Sequence, residues 1–149
     1  MKWLDMPPLW LVVFAALAWA QAQFLPLGLS LRHPVTLLLA GVLVGGGVVL
    51  TVLAALEFRK HKTTIVPHET PAVLIQSGIF ARSRNPIYLA DVLLLTGLCL
   101  WWDAVPALAL VPVFVWVLER RFILPEEKRM RRTFRADFAR YEQKVRRWL

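Results

Sequence analysis

A short polar segment between two long apolar runs carries residue types that could do chemistry. Residues 77–88 read S-G-I-F-A-R-S-R-N-P-I-Y. Proline fixes its own φ and restricts the residue before it to extended conformations, so a helix is predicted to start near Pro86. The turn then places Arg84, Asn85 and Tyr88 at the N-terminus of that helix. The first N–H groups of a helix lack helical partners and can bind an anion.

A second stretch, residues 126–148, is charged on one side and apolar on the other. It begins with Glu126 and Glu127, and its apolar residues recur at steps of three and four: Met130, Phe134, Phe138, Tyr141, Val145 and Trp148. This spacing predicts an amphipathic helix with Arg and Lys on the opposite face. Two interpretations stay open: a basic helix lying on anionic lipid, and a helix that folds back as the roof of a pocket.

Together the two stretches resemble the isoprenylcysteine carboxyl methyltransferases and phospholipid N-methyltransferases, a family of integral membrane enzymes. That family carries S-G-x-aromatic-x-x-x-R-H/N-P-x-Y and, after a helical hairpin, E-E-x-x-L-x-x-x-F-G-x-x-Y-x-x-Y-x-x-x-V. The second pattern is met at Glu126, Glu127, Phe134, Tyr141 and Val145. The departures are Asn85 for the more usual His, Met130 for Leu, Arg135 for Gly and Phe138 for Tyr.

The resemblance implies S-adenosyl-L-methionine as the cofactor and assigns residues to it. The residues expected to contact the cofactor are Ala72, Val73, Leu74, Ile75, Phe80, Asn85, Pro86, Ile87 and Tyr88, and Glu126 is expected to close the site over it. Arginines near the second motif are expected to hold a substrate carboxylate. Arg120 and Arg121 are the candidates, and Arg121 is preferred because its guanidinium could fork onto two oxygens. Glu127 is the candidate base toward an amine nucleophile.

Composition places the chain in the membrane class. The 149 residues leave room for one domain, residues 1–149, and 58% of them are hydrophobic. The net charge is +8, and residues 119–149 hold eleven Lys and Arg against five Asp and Glu. This excess suits an anionic membrane surface, and no nucleic-acid motif accompanies it. The three His and the single Cys show no metal-ligand spacing, so no metal site is predicted.

Four apolar runs predict an all-α integral membrane protein with four transmembrane helices and the C-terminal basic helix. The spans are predicted at about residues 9–25, 35–56, 87–102 and 104–124. The glycines of Gly41-x-x-x-Gly45 predict a close helix-packing face. A cleaved signal peptide is the alternative for the first run, with Lys2 before the apolar core and Ala18-Trp19-Ala20 as the cleavage site.

The distribution of Lys and Arg predicts the topology and, with the motifs, the function. Two spans separate the basic loop 57–85 from the basic tail, so both are expected on the cytoplasmic side of the inner membrane, where one active site can use both. The expected activity is methylation of a lipid-like or lipidated acceptor in contact with membrane lipids, of the isoprenylcysteine carboxyl O-methyltransferase type. The alternatives are phospholipid head-group N-methylation and a catalytically silent membrane subunit that binds lipid or a partner protein.

Overall fold

A computed structural model describes residues 6–63 and 71–149, and over these residues the protein is helical and contains no strand. Five α-helices follow one another: α1 (Pro7–Phe24), α2 (Pro34–Lys60), α3 (Pro86–Trp101), α4 (Leu110–Leu118) and α5 (Leu124–Lys144). Proline occupies the first turn of α1, α2 and α3, where its missing N–H leaves no hydrogen bond unmade. The predicted all-α fold is therefore confirmed for the described part of the chain.

Helix α3 lies between α1 and α2, and α1 and α2 barely touch each other. On one side, Leu95 and Cys99 of α3 join Phe14 of α1 and Phe114 of α4 in the main core. The burial of Phe14 makes α1 a packed helix of this bundle. Lys2, which the signal-peptide alternative uses, lies outside the described residues.

On its other side α3 packs very closely on α2 through two glycines. A Cβ at Gly97 would lie 2.7 Å from Val44 Cγ2 and 3.0 Å from the carbonyl oxygen of Ala40, and one at Gly47 would lie 2.8 Å from Leu94 Cγ. A Cβ at Gly41 or Gly45 would meet nothing within 4 Å. The predicted packing face at Gly41 and Gly45 is therefore wrong, because the contact uses a different face of α2.

Among the described residues, two helices are long and apolar enough to cross a membrane. They are α1, which has 18 residues and a mean hydropathy of 1.2, and α2, which has 27 residues and a mean hydropathy of 2.5 over its 18-residue apolar segment. Helix α3 is apolar but has only 16 residues. At the end of α3 the Asp103 carboxylate accepts hydrogen bonds from the Ser30 hydroxyl and the Leu31 N–H, which lower the pKa of Asp103. These bonds fix the turn after α3 to the loop between α1 and α2.

The predicted span at 104–124 is not one regular helix. It consists of a 3₁₀ turn (Pro106–Ala109), α4 and a π-helical turn (Glu119–Ile123) that leads into α5. Pro112 cannot donate a hydrogen bond to the preceding turn, which is where the 3₁₀ geometry occurs. The π turn takes one more residue than an α turn and so changes which side chains face the core, where Phe122 and Ile123 are both buried.

The predicted helix at 126–148 is wrong in two respects: the helix ends at Lys144 and is broken at Arg135. Arg135 has φ 41° and ψ −111°, a conformation that glycine adopts and that strains other residues. In a straight helix Arg131 and Glu142 would lie about 16 Å apart, yet Arg131 Nε donates to Glu142 Oε2 at 3.0 Å. The chain therefore folds back at the position where the family pattern has glycine.

An Arg135→Gly variant is expected to be more stable than the wild-type protein by about 1 kcal/mol, because glycine removes the backbone strain at positive φ. The matched control is Arg132→Gly in a regular helical turn of α5, where glycine is expected to cost about 1 kcal/mol. Chemical unfolding of both variants in detergent micelles measures the difference. A loss of stability in Arg135→Gly equal to that in Arg132→Gly would contradict the strained turn.

Candidate active site

A cavity of about 420 Å³ lies where the start of α3, the start of α1, the end of α2 and the folded-back α5 meet. Its walls include every residue predicted from the two motifs to contact the cofactor except Ala72. Glu127 also lines it. The two motif stretches, far apart in sequence, are thus brought to one cavity with a mainly apolar lining.

Two of the predicted site residues lie elsewhere. Ala72 is exposed, and its N–H donates to Thr63 Oγ1 at 3.1 Å. Arg121 is also exposed and stacks on Trp10, with its guanidinium carbon 5.3 Å from the ring centroid. Successive helical residues point about 100° apart, so the π turn that directs Phe122 into the core directs Arg121 away from the cavity. The structure therefore does not bring Arg121 to the cavity that the predicted cofactor contacts share.

Tyr88 and Glu126 meet in the cavity wall. The Tyr88 hydroxyl donates to Glu126 Oε1 at 2.8 Å. The Tyr88 ring is buried and stacks on Phe122, with 6.2 Å between centroids and 28° between ring planes. Phe122, which is 1% exposed, thereby fixes the orientation of the tyrosine ring. This contact joins the first motif to the second at the level of individual atoms.

The residues after α5 form the back wall of the first motif. The Arg84 N–H donates to the carbonyl oxygen of Arg146 at 3.1 Å. The Asn85 side-chain amide donates to the carbonyl oxygen of Arg147 at 3.0 Å. Asn85 is therefore positioned by the C-terminal segment while it lines the cavity, which explains why an amide, with its N–H donors, serves at this position.

Glu127 is held by three arginines. Arg147 donates to both of its oxygens, from Nε to Oε1 at 3.0 Å and from Nη2 to Oε2 at 2.9 Å. Arg84 Nη2 lies 3.4 Å from Oε1 and Arg131 Nη2 lies 3.6 Å from Oε2. Each carboxylate oxygen therefore accepts one hydrogen bond and has a second guanidinium within ion-pair distance. Glu127 is thus a structural anchor of the tail, which argues against the predicted role as a base.

A second carboxylate extends this ionic cluster. Glu142 accepts from Arg131 and from Arg84, each at 2.6 Å. The bonds from Arg131, followed by those from Arg84, lower the pKa of Glu142 below its ordinary value of 4.5. Because the pKa is lower in the folded protein, the stabilisation is present above pH 4.5 and is lost as the pH falls through the folded-state pKa.

The folded-back half of α5 covers the cavity. Phe138 and Tyr141 line the cavity and are 3% and 4% exposed. The Tyr141 hydroxyl donates to the carbonyl oxygen of Phe80 at 2.6 Å, and burial raises the pKa of Tyr141. Of the two interpretations of the tail, these contacts support the roof, since a helix resting only on lipid would leave these side chains outside the protein.

Sequence reasoning missed several residues of the cavity and its support. Arg129 lines the cavity, and its position one helical turn after Glu126 is a signal that could have been used. Met6 and Pro7 at the start of α1 also line it, as does Phe58 at the end of α2. The contact of Arg147 with Glu127 has no sequence signal, because it depends on the break at Arg135. Within residues 6–63 and 71–149 no cluster of His, Cys, Asp and Glu is suited to hold a metal ion.

The phospholipid methyltransferase family matches residues 35–137, which include the first motif stretch, the start of the second from Glu126 to Asp137, and most of the bundle. Searches of curated proteins and of solved structures gave no significant match. The family match covers more than half of the chain and confirms the family that the motifs predict. Methyltransferases of this family generally use S-adenosylmethionine. The chain belongs to the phospholipid methyltransferase family of membrane methyltransferases.

Proposed function

We propose that the protein is an S-adenosylmethionine-dependent methyltransferase whose cofactor binds in the cavity between the first motif and α5. The observation that carries the proposal is the contact of Tyr88 with Glu126, which ties the two family motifs together in the wall of a mainly apolar cavity. When bound, the cofactor supplies a methyl group activated by the neighbouring sulfonium. The protein has to supply alignment, electrostatics and exclusion of water.

The lining of the cavity fits the cofactor's two chemical ends. Phe58 and Phe80 pack edge to face, with 5.5 Å between ring centroids, and line the apolar wall that an adenine ring requires. Glu126 lines the polar part and can accept hydrogen bonds from an ammonium group or ribose hydroxyls, in company with the Tyr88 hydroxyl. A volume of about 420 Å³ lies within the range of small-molecule sites, roughly 300–1,000 Å³.

The roof formed by α5 serves to exclude water. Phe138 and Tyr141 close the cavity, and the hydroxyl of Tyr141 fastens them to the 3₁₀ turn (Gly78–Ala81) that follows the start of the motif. Exclusion of water strengthens the electrostatic contacts inside the site and protects an activated methyl group from hydrolysis. We assign Glu127 to this closure as well, since it anchors the tail through Arg147.

The acceptor that we propose is lipid-like and reaches the cavity from the bilayer. We propose that it enters between α1 and α2, which barely touch, because the start of α1, the end of α2 and the first turn of α3 all line the cavity. We further propose that α3 and residues 106–123 complete a bundle of four spans, with the cavity facing the cytoplasm. The basic loop after α2 and the basic tail, both on the cavity side, support this orientation.

The acceptor's nucleophile is either a carboxylate or an amine. Carboxyl O-methylation follows from the resemblance to isoprenylcysteine methyltransferases, and head-group N-methylation follows from the family's description. An amine must lose its proton before it attacks, so the rate of N-methylation is expected to rise with pH, whereas a carboxylate is already ionised above about pH 5. Transfer of labelled methyl groups to membrane lipid extracts, followed from pH 6 to pH 9, separates the two reactions.

Calorimetry of the purified protein in detergent, titrated with S-adenosylhomocysteine, tests the proposal. The wild-type protein is expected to bind, and Tyr88→Phe and Glu126→Gln are each expected to lose about 1–3 kcal/mol of binding free energy, because Tyr88→Phe removes a hydroxyl group and Glu126→Gln removes the negative charge and one acceptor oxygen. Asp137→Asn is the matched control, since its carboxylate is exposed and pairs with Arg140. Absence of binding to the wild-type protein, or unchanged affinity in both site variants, would refute the site.

A further inference from the structure

Some polar side chains that line the cavity already have partners within the described part of the protein, and one does not. Arg84 forms ion pairs with Glu127 and Glu142. The Tyr88 hydroxyl donates a hydrogen bond to Glu126. Arg129 lines the same cavity, yet no hydrogen bond or ion pair joins it to another residue of the described part of the chain. The cavity therefore contains a guanidinium whose N–H groups donate to no residue of the described part of the chain.

The surroundings of Arg129 make an unpaired cation unfavourable in the unliganded protein. Arg129 is half-buried in α5, one helical turn after Glu126, and lines the same cavity as Tyr88. The walls around it are mainly apolar, with Phe58, Leu74 and Ile87 among their members. A charge next to apolar walls loses part of its hydration, and an anionic ligand group restores that loss.

We propose that Arg129 is the oxyanion-binding residue of this cavity, an inference that rests on the proposed function. Its planar guanidinium fits two oxygens of one carboxylate or phosphate side by side. Two ligands of the proposed reaction offer this chemistry: the cofactor's carboxylate, and a phosphate or carboxylate of the acceptor. With Glu126 one turn away, the wall presents a carboxylate and a guanidinium together, the pair that complements the ammonium and carboxylate of an amino acid.

The first experiment compares S-adenosylhomocysteine with 5′-methylthioadenosine, which keeps the adenosine and lacks the amino-acid end. If the oxyanion belongs to the cofactor, Arg129→Gln is expected to bind S-adenosylhomocysteine about tenfold more weakly than the wild-type protein does. Its affinity for 5′-methylthioadenosine is expected to stay unchanged. Arg129→Lys keeps the charge and loses the fork, so an intermediate loss is expected. Lys128→Gln is the control with the same loss of charge, because Lys128 is exposed and does not line the cavity.

The second experiment covers the acceptor and measures the rise in melting temperature caused by decyl phosphate, relative to decanol, in maltoside micelles. If the oxyanion belongs to the acceptor, decyl phosphate no longer raises the melting temperature of Arg129→Gln, and this variant keeps its affinity for S-adenosylhomocysteine. Lys128→Gln is expected to retain both the rise in melting temperature and the affinity. The proposal is overturned when Arg129→Gln behaves like Lys128→Gln in both experiments. It is also overturned when Arg129→Gln loses affinity equally for S-adenosylhomocysteine and 5′-methylthioadenosine and its response to decyl phosphate persists. That pattern would mean that the substitution disturbs the whole cavity and does not remove a specific contact with an oxyanion. Failure of the wild-type protein to bind S-adenosylhomocysteine refutes the proposed function. The melting-temperature response to decyl phosphate then tests separately whether Arg129 binds an oxyanion.

Discussion

An Arg147→Ala variant is expected to lose about 2–3 kcal/mol of folding stability and to bind S-adenosylhomocysteine at least tenfold more weakly. The substitution removes the two hydrogen bonds that Arg147 makes to Glu127, which is 4% exposed. A buried carboxylate deprived of its closest partner keeps only the longer contacts to Arg84 and Arg131, and the lost charged hydrogen bonds set the size of the effect. Because the carbonyl of residue 147 also positions Asn85, loosening this segment disturbs the cavity wall.

The neighbouring residue provides the control for this prediction. Arg146 is exposed, and its hydrogen bond to residue 84 uses its backbone carbonyl, which an Arg146→Ala variant keeps. The control is expected to unfold and to bind like the wild-type protein. Arg147→Lys is expected to fall between the two, because lysine keeps the charge but cannot donate side by side to both oxygens. Chemical unfolding and calorimetry measure the two quantities, and equal losses in Arg146→Ala and Arg147→Ala would rule out the specific contact.

A Gly97→Ala variant is expected to be destabilised by about 1–3 kcal/mol. The new methyl group would lie 2.7 Å from Val44 Cγ2 and 3.0 Å from the carbonyl oxygen of Ala40. A side chain can turn aside, but the Ala40 oxygen belongs to the backbone of α2, so the whole helix has to shift. The thermal midpoint of the variant in detergent micelles measures the loss.

Gly45→Ala is the matched control for this helix contact. It introduces the same methyl group in the middle of the same helix pair, at a position where nothing lies within 4 Å. Its stability is expected to equal or slightly exceed that of the wild-type protein, because alanine favours the helix over glycine. A loss in Gly45→Ala as large as that in Gly97→Ala would contradict the packing of α3 on α2.

The parts of the site that lie within the motifs could be predicted from sequence because each motif has a local physical reason. Pro86 starts a helix wherever that segment folds, and this start fixes the direction of Tyr88. Glu126 lies in the first turn of α5, directly after the proline at the start of this helix. Their meeting at 2.8 Å requires only that the two segments reach the same end of the bundle, which the count of apolar runs also indicates.

The remaining parts depend on irregular geometry that periodicity does not reveal. The π turn at Glu119–Ile123 changes the helical phase, so the preference for Arg121 over its neighbours could not be settled by counting residues. The break lies at Arg135, and positive φ is uncommon for residues other than glycine. The residue type therefore gave no sign of a break, and the regular apolar spacing predicted one continuous helix. The anchoring of Glu127 by Arg147 depends on that break and could not be predicted.

The shortness of α3 bears on the lipid around the protein. Its 16 residues measure about 24 Å, whereas the hydrocarbon core of a bilayer is about 30 Å thick. As one of the four proposed spans, α3 shortens the local hydrophobic height by about 6 Å, and the adjacent lipids adapt by thinning the bilayer. Thinning brings lipid head groups toward the first turn of α3, which lines the cavity together with the start of α1 and the end of α2. Hydrophobic mismatch thus lowers the distance that an acceptor's head group must travel, and membranes of greater thickness are expected to slow its entry.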